Sequence, residues 1–236
     1  MPKHSMPRAI LTDVEGTTTP IAFVKDVLFP YARAHIAQFV AARRGTTDVV
    51  KALAEVAVTA GCSSDDDACL VRTVIEWIDT DSKATALKTL QGMIWAAGYA
   101  DGSLQAPVYP DAAAGLRRWH ARGHPLFVYS SGSTQAQQLL FGHSDQGSLL
   151  GLFSGYFDTT SGGKRDVTSY RNIATALARD AAEIVFLSDV TAELDAARAA
   201  GMATCWIIRG NDIAPTTAEL AANTHPIAHD FTQVAI

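Results

Sequence analysis

The chain has 236 residues, 48% of them hydrophobic and 18% charged, and its 19 Lys and Arg against 24 Asp and Glu leave a net charge of −5. This length allows one or two domains and a core large enough to need no disulfide or zinc staple. The acidic sum argues against a surface that tracks a nucleic-acid backbone, the short apolar runs exclude a transmembrane helix, and the start MPKHSMPRAI carries no apolar leader segment.

In chain order, residues 8–12 form the first apolar stretch, which reads as a buried strand and runs into Asp13-Val14-Glu15-Gly16-Thr17. Between about residues 20 and 106 no strand is convincing. Residues 24–42, 49–60, 69–78 and 82–97 suit helices, with Asp65-Asp66-Asp67 as a start near a positive dipole end. Cys62 and Cys69 stand seven apart and are expected as packing residues. With Cys205 they make an odd count without a CxxC, which fits a reduced cytoplasm. Beyond residue 106 the pattern changes. A helix over 111–122 precedes a strand at 125–129, which runs into Ser130-Ser131-Gly132-Ser133 and a helix from Thr134. A short strand at 153–157, a helix at 166–179, a strand at 183–187 ending in Ser188-Asp189, a helix at 192–200 and a strand at 203–208 follow. Strands alternating with helices imply right-handed crossovers and a parallel sheet. In such sheets ligands sit beyond the carboxyl ends of the strands, which is where the acidic and serine clusters fall.

Each cluster suggests chemistry and also has a plain structural alternative. Strand alternation sends Asp13 and Glu15 to one face, where two carboxylates can split the roles of nucleophile or metal ligand and of acid and base. Gly16 permits a sharp turn there. The same residues also suit an ordinary strand exit. Ser130 and Ser131, at a helix start, offer hydroxyl and main-chain N–H donors to an anion, or simply cap the helix. Lys164, behind Ser161-Gly162-Gly163, can reach inward as a point charge for phosphate, or stay at the surface. Asp189, with Glu193 and Asp195 nearby, can hold a hard cation through oxygen, or cap the next helix.

The four clusters in this order resemble the haloacid dehalogenase-like phosphatase superfamily, with its DxDGT, its Ser/Thr strand end, its Lys and its acidic strand end. Glu15 departs from that signature, standing where most members have a second Asp. The segments DVEGTTTPIAFVKDVLFPYA, LQGMIWAAGYADG, VYPD, YSSGSTQAQQLLFGHS and FLSDVTAELDAA are similar to the enolase-phosphatase (acireductone synthase) family of methionine salvage. The resemblance implies an α/β fold: a Rossmann-like parallel-sheet core from residues 1–19 and 106–236, with an all-helical cap domain inserted at 20–105. It implies conversion of 2,3-diketo-5-methylthiopentyl-1-phosphate to the acireductone and phosphate, by enolisation and then hydrolysis.

For the residues, it implies Asp13 as the nucleophile that forms an aspartyl-phosphate, Glu15 as acid and base, and Lys164, Ser130 and Ser131 as phosphate partners. One Mg²⁺ per subunit is expected on Asp13, Asp189 and the backbone carbonyl of Glu15. Trp95, Gly98 and Tyr99 lie in the strongest cap motif and are candidates for shaping the pocket of the methylthio tail, with core packing as the alternative. The expected partner is a small phosphorylated diketone, with no nucleic acid and no membrane, and the chain is expected to act as a monomer. The alternative within the superfamily is a magnesium-dependent phosphatase for another small phosphate ester.

Overall fold

The computed structural model describes residues 8–210 and 214–236. They form two compact units, one made of the chain up to Ile21 and from Ala106 onward, the other of Ala22–Gln105.

The first unit is built on six parallel strands: β1 (Ala9–Thr12), β2 (Leu126–Tyr129), β3 (Phe153–Phe157), β4 (Ile184–Ser188), β5 (Ala203–Ile207) and β6 (Ile227–Ala228). Their order in the sheet is β3-β2-β1-β4-β5-β6. From β1 the chain builds outward through β2 and β3, then returns to the other side of β1 for β4, β5 and β6. Connections that leave β1 and β4 in opposite directions open a crevice at their carboxyl ends. Strands β1, β2 and β4 are buried along their whole length. Such strands need apolar residues on both faces, which is why they read as unbroken apolar runs. Around the sheet lie α5 (Pro110–Ala121), α6 (Thr134–Gly142), α7 (Val167–Ala176), α8 (Thr191–Ala199) and α9 (Thr217–Ala222). Below the sheet's edge Trp119 packs on Phe231, with ring centres 5.1 Å apart. The five strands expected from sequence are present. The two-residue β6 and the six-residue α9 are too short to show a period, and the sequence reading does not find them.

The second unit holds the helices numbered before these: α1 (Phe29–Arg43), α2 (Thr47–Ala60), α3 (Asp67–Asp79) and α4 (Thr85–Ala100). The single helix expected over 24–42 differs at its start, where Phe23–Leu28 winds as a π-helical turn before α1 takes over. Pro30 has no N–H to give to the preceding turn, so the regular ladder cannot run through it. Leu70, Val74 and Ile78 bury one face of α3 at intervals of four residues. Asp66 caps that helix by accepting from Cys69 N at 3.0 Å.

One expectation changes here, and another falls on its packing alternative. Cys62 and Cys69 are not packing residues on one helix. Cys62 lies in the turn after α2 and Cys69 in the first turn of α3, so the chain folds back, brings their Cα atoms to 6.2 Å, and the sulfurs are bonded. Cys205 is the buried free cysteine among them, and with the other two bonded the cysteines no longer argue for a reduced compartment. Trp95, Gly98 and Tyr99 are interior packing residues of this unit. Trp95 donates its indole N–H to Leu28 O at 2.9 Å and stacks on Phe29. Gly98 faces the Tyr31 ring so closely that a Cβ would lie 2.6 Å from the hydroxyl oxygen. Among the described residues, no helix is long and apolar enough to cross a membrane.

Candidate active site

Strand β1 ends at Thr12 and delivers Asp13 to the crevice between β1 and β4, where Asp13 is 2% exposed. Its carboxylate is fully engaged. Oδ1 accepts from Val14 N at 2.8 Å and pairs with Lys164 Nζ at 2.6 Å, and Oδ2 accepts from Ser188 Oγ at 3.3 Å. Lys164 also pairs with Glu193 Oε2 at 2.7 Å, and Ser188 Oγ lies 3.1 Å from that same oxygen. One ammonium therefore bridges two buried carboxylates.

The lysine loop is held by its carbonyls. Asn172 Nδ2 donates to Ser161 O at 3.0 Å, Tyr129 OH to Gly162 O at 2.9 Å, Ser169 Oγ to Gly163 O at 2.7 Å, and Tyr170 OH to Lys164 O at 2.7 Å. Gly162 takes φ +124°, which favours glycine, and a Cβ there would collide with Ser169 Oγ. Gly162 thus serves close packing, and four donors replace the rigidity that glycine lacks.

On the neighbouring loop Ser130 is buried and its Oγ donates to Glu15 Oε2 at 3.3 Å. Gly132 N donates to Ser130 Oγ at 3.1 Å. Capping of α6 falls to Ser133, which accepts from Ala136 N at 3.2 Å, so Ser130 is left for the site. Ser131 is exposed beside it. Asp189 follows β4. Its N–H donates to Thr17 Oγ1 at 3.0 Å, and Thr17 Oγ1 lies 3.4 Å from Asp189 Oδ1. Gly16, at φ +74°, packs so closely on this carboxylate that any Cβ would collide with it.

Charge is out of balance in this cluster. Burial and the neighbouring Asp13 push Asp189 up to about 7 and also raise Glu193. The same two causes raise Glu15. Burial alone would lower Lys164, but Asp13 and Glu193 outweigh it and hold the lysine well above its ordinary value. Four carboxylates thus share one paired cation, and a bound divalent cation would relieve their mutual repulsion. Among the described residues no three His, Cys, Asp or Glu side chains converge as a metal-binding group. A cation here would draw on the hard oxygens of Asp13 and Asp189, main-chain carbonyl and water, a donor set that suits Mg²⁺.

The sequence-derived residues Asp13, Glu15, Ser130, Lys164 and Asp189 are thus linked by direct bonds or by charge. Glu193 is a fuller participant than expected. It lies in the first turn of α8, just after the strand end that carries Asp189, and an acid in that place is the signal for it. Asp195 is not part of the site. Two residues further round α8, it turns outward to Arg198 and His225.

Known proteins resemble this chain along nearly its whole length. The haloacid dehalogenase-like hydrolase family matches residues 7–201. An enolase-phosphatase E1 of Thioalkalivibrio sulfidiphilus is 51% identical over 234 residues, covering 98% of this chain and all of the relative. An enolase-phosphatase E1 of Xylella fastidiosa is 54% identical over 226 residues, covering 96% of this chain and 97% of the relative. The crystal structure of the UTR4 protein of Saccharomyces cerevisiae superposes with a TM-score of 0.82 at 36% identity, covering 96% of this chain and 99% of the yeast chain.

Proposed function

Because the chain belongs to the enolase-phosphatase family of haloacid dehalogenase-like hydrolases, we propose that it enolises 2,3-diketo-5-methylthiopentyl-1-phosphate and hydrolyses the phosphate ester, with Asp13 as nucleophile. The observation that carries this division of roles is the Asp13–Lys164–Glu193 ion-pair cluster beside the Ser130–Glu15 pair, at the carboxyl ends of β1, β2 and β4.

Asp13 is aimed by Val14 N and Ser188 Oγ, leaving little freedom to turn away from an incoming phosphorus. Lys164 lowers the repulsion between an anionic nucleophile and an anionic ester. With substrate bound, Ser130 turns its single hydroxyl proton from Glu15 to phosphoryl oxygen, and the exposed Ser131 extends the same loop toward it. Asp13, Asp189 and the Glu15 carbonyl would hold one Mg²⁺, which when bound supplies Lewis-acid charge neutralisation at the phosphoryl group.

Glu15 is the acid and base. Its raised affinity for a proton suits donation to the leaving oxygen, and the resulting carboxylate then takes a proton from the water that cleaves the aspartyl-phosphate. The longer Glu side chain reaches Ser130, which orients it. The helical unit is assigned the role of cap, and the enzyme is placed in the cytoplasm as a monomer.

The test is to incubate the protein with the diketone phosphate, with and without Mg²⁺, and follow ultraviolet absorbance and free phosphate together. Both signals should appear with Mg²⁺, and phosphate release should be lost without it. Phosphate without an enol signal would reduce the protein to a simple phosphatase.

A further inference from the structure

The VYPD segment is part of the family resemblance, yet nothing in the proposed chemistry uses it. Its Asp111 leads to a buried arginine outside the reaction cluster. Arg209 follows β5 and is 6% exposed. Each of its three nitrogens donates. Nε and Nη2 donate to Thr17 O at 3.1 and 2.6 Å, and Nη1 donates to both oxygens of Asp111 at 2.8 and 2.7 Å. The guanidinium lies 4.3 Å from the Tyr109 ring centre and 5.3 Å from that of Phe231. Asp111 Oδ2 also accepts from Phe231 N at 2.8 Å.

The choice of Thr17 as target matters. Its carbonyl takes two donors from Arg209, while its hydroxyl bonds the main chain of Asp189 and approaches that carboxylate. Tyr109 N meanwhile donates to Thr18 O at 2.9 Å. Thr17 lies on the stretch by which the chain leaves the α/β unit after Ile21, and Tyr109 and Asp111 lie on the stretch by which it returns at Ala106. Arg209 thus ties both crossings to each other at the place where Asp189 is set. Four of the five N–H donors of this buried guanidinium are committed to Thr17 and Asp111, so its role is read as geometric.

We propose that Arg209 is a positioning residue for phosphoryl transfer: it fixes Thr17, and through the Thr17 hydroxyl it aims the Asp189 carboxylate at the metal position. This rests on the reading of Asp189 as a metal-holding carboxylate. Arg209→Lys retains a charge for Asp111 but cannot supply the two-donor grip on Thr17. Groups that orient a ligand typically change metal affinity or activity by about 10–100-fold when replaced.

The experiment is a double-mutant cycle of Arg209→Lys and Thr17→Val, with Mg²⁺ affinity measured by calorimetry and kcat, KM and Tm measured alongside. Leu116→Ala, a buried change in α5, serves as a control that lowers Tm without touching this chain of bonds. Each single variant should weaken Mg²⁺ binding about 10-fold or more and lower kcat, with substrate KM at saturating metal nearly unchanged. The double variant should be no worse than the weaker single, because both break the same chain. Leu116→Ala should bind Mg²⁺ normally.

Multiplying losses in the double variant, unchanged Mg²⁺ affinity in Arg209→Lys, or a parallel loss in Leu116→Ala would each overturn the proposal. Failure of the underlying reading looks different: Mg²⁺ would then bind Asp189→Asn as tightly as the wild type.

Discussion

The two units both bury apolar side chains, but they treat charge in opposite ways. In the helical unit the ion pairs Arg33–Asp79 and Lys83–Asp81 lie at the surface, where water screens them and they add little. In the α/β unit Asp13, Glu193 and Arg209 are each under a tenth exposed, and each is bonded to a named partner. Burying a charge is costly unless it is paired. The unit that accepts that cost does so at strand ends, where the fold opens a crevice. The helical unit accepts none, and its most distinctive motif turns out to be its own interior. Buried, paired charge therefore separates chemistry from packing better than motif strength does.

The largest expected effect tests that contrast directly. Asp13→Asn keeps the shape of the side chain but removes the nucleophile, and phosphate release should fall by at least about 10³-fold. Retained turnover would break the assignment of buried charge to chemistry. Glu15→Gln should slow release by about 10²–10⁴-fold and flatten the pH profile, measured by steady-state phosphate assays across pH.

A smaller effect concerns stability. Asp189 and Glu193 hold protons more tightly folded than unfolded, so their contribution is present below their ordinary values and is lost as pH rises through about 7. Without metal, Tm should fall from about pH 5 to about pH 8. Mg²⁺ at about 100 times its Kd should restore about 2.7 kcal/mol, or about 5–10 °C, and more at high pH than at low, since it competes with those protons. A metal-free Tm that rises over this range would contradict the charge surplus. The smallest effect lies in the other unit. Cys62→Ser removes a bridge across a short loop, worth about 2 kcal/mol. Thermal unfolding should shift by a few degrees while Mg²⁺ affinity stays put.

Much of the α/β unit is legible in sequence because continuous burial of β1, β2 and β4 leaves unbroken apolar runs, and each run ends in the residue that matters. Asp13, Ser130 and Asp189 are candidates from position, and their order along the chain with the family resemblance is what favours a site over a strand exit or a helix cap. Lys164 is harder, since its reach depends on four donors to loop carbonyls, two of them from Tyr129 and Tyr170 far from it in pattern. Arg209 is invisible: its partners Thr17 and Asp111 are 192 and 98 residues away. The Cys62–Cys69 bridge is missed because counting cysteines does not reveal that α2 and α3 fold back on each other. Trp95 fits the packing alternative that the sequence also offered, since its indole is buried and bonded to Leu28 O.

The central claim is that Asp13 carries the phosphoryl group. Rapid quench of the wild-type protein within its first turnover, followed by mass spectrometry of the peptide that contains Asp13, tests it most directly. Phosphate on Asp13 that appears before free phosphate and decays as it is released is the predicted result. Release of phosphate at a normal rate with Asp13 never modified, or with the group on another residue, would contradict it.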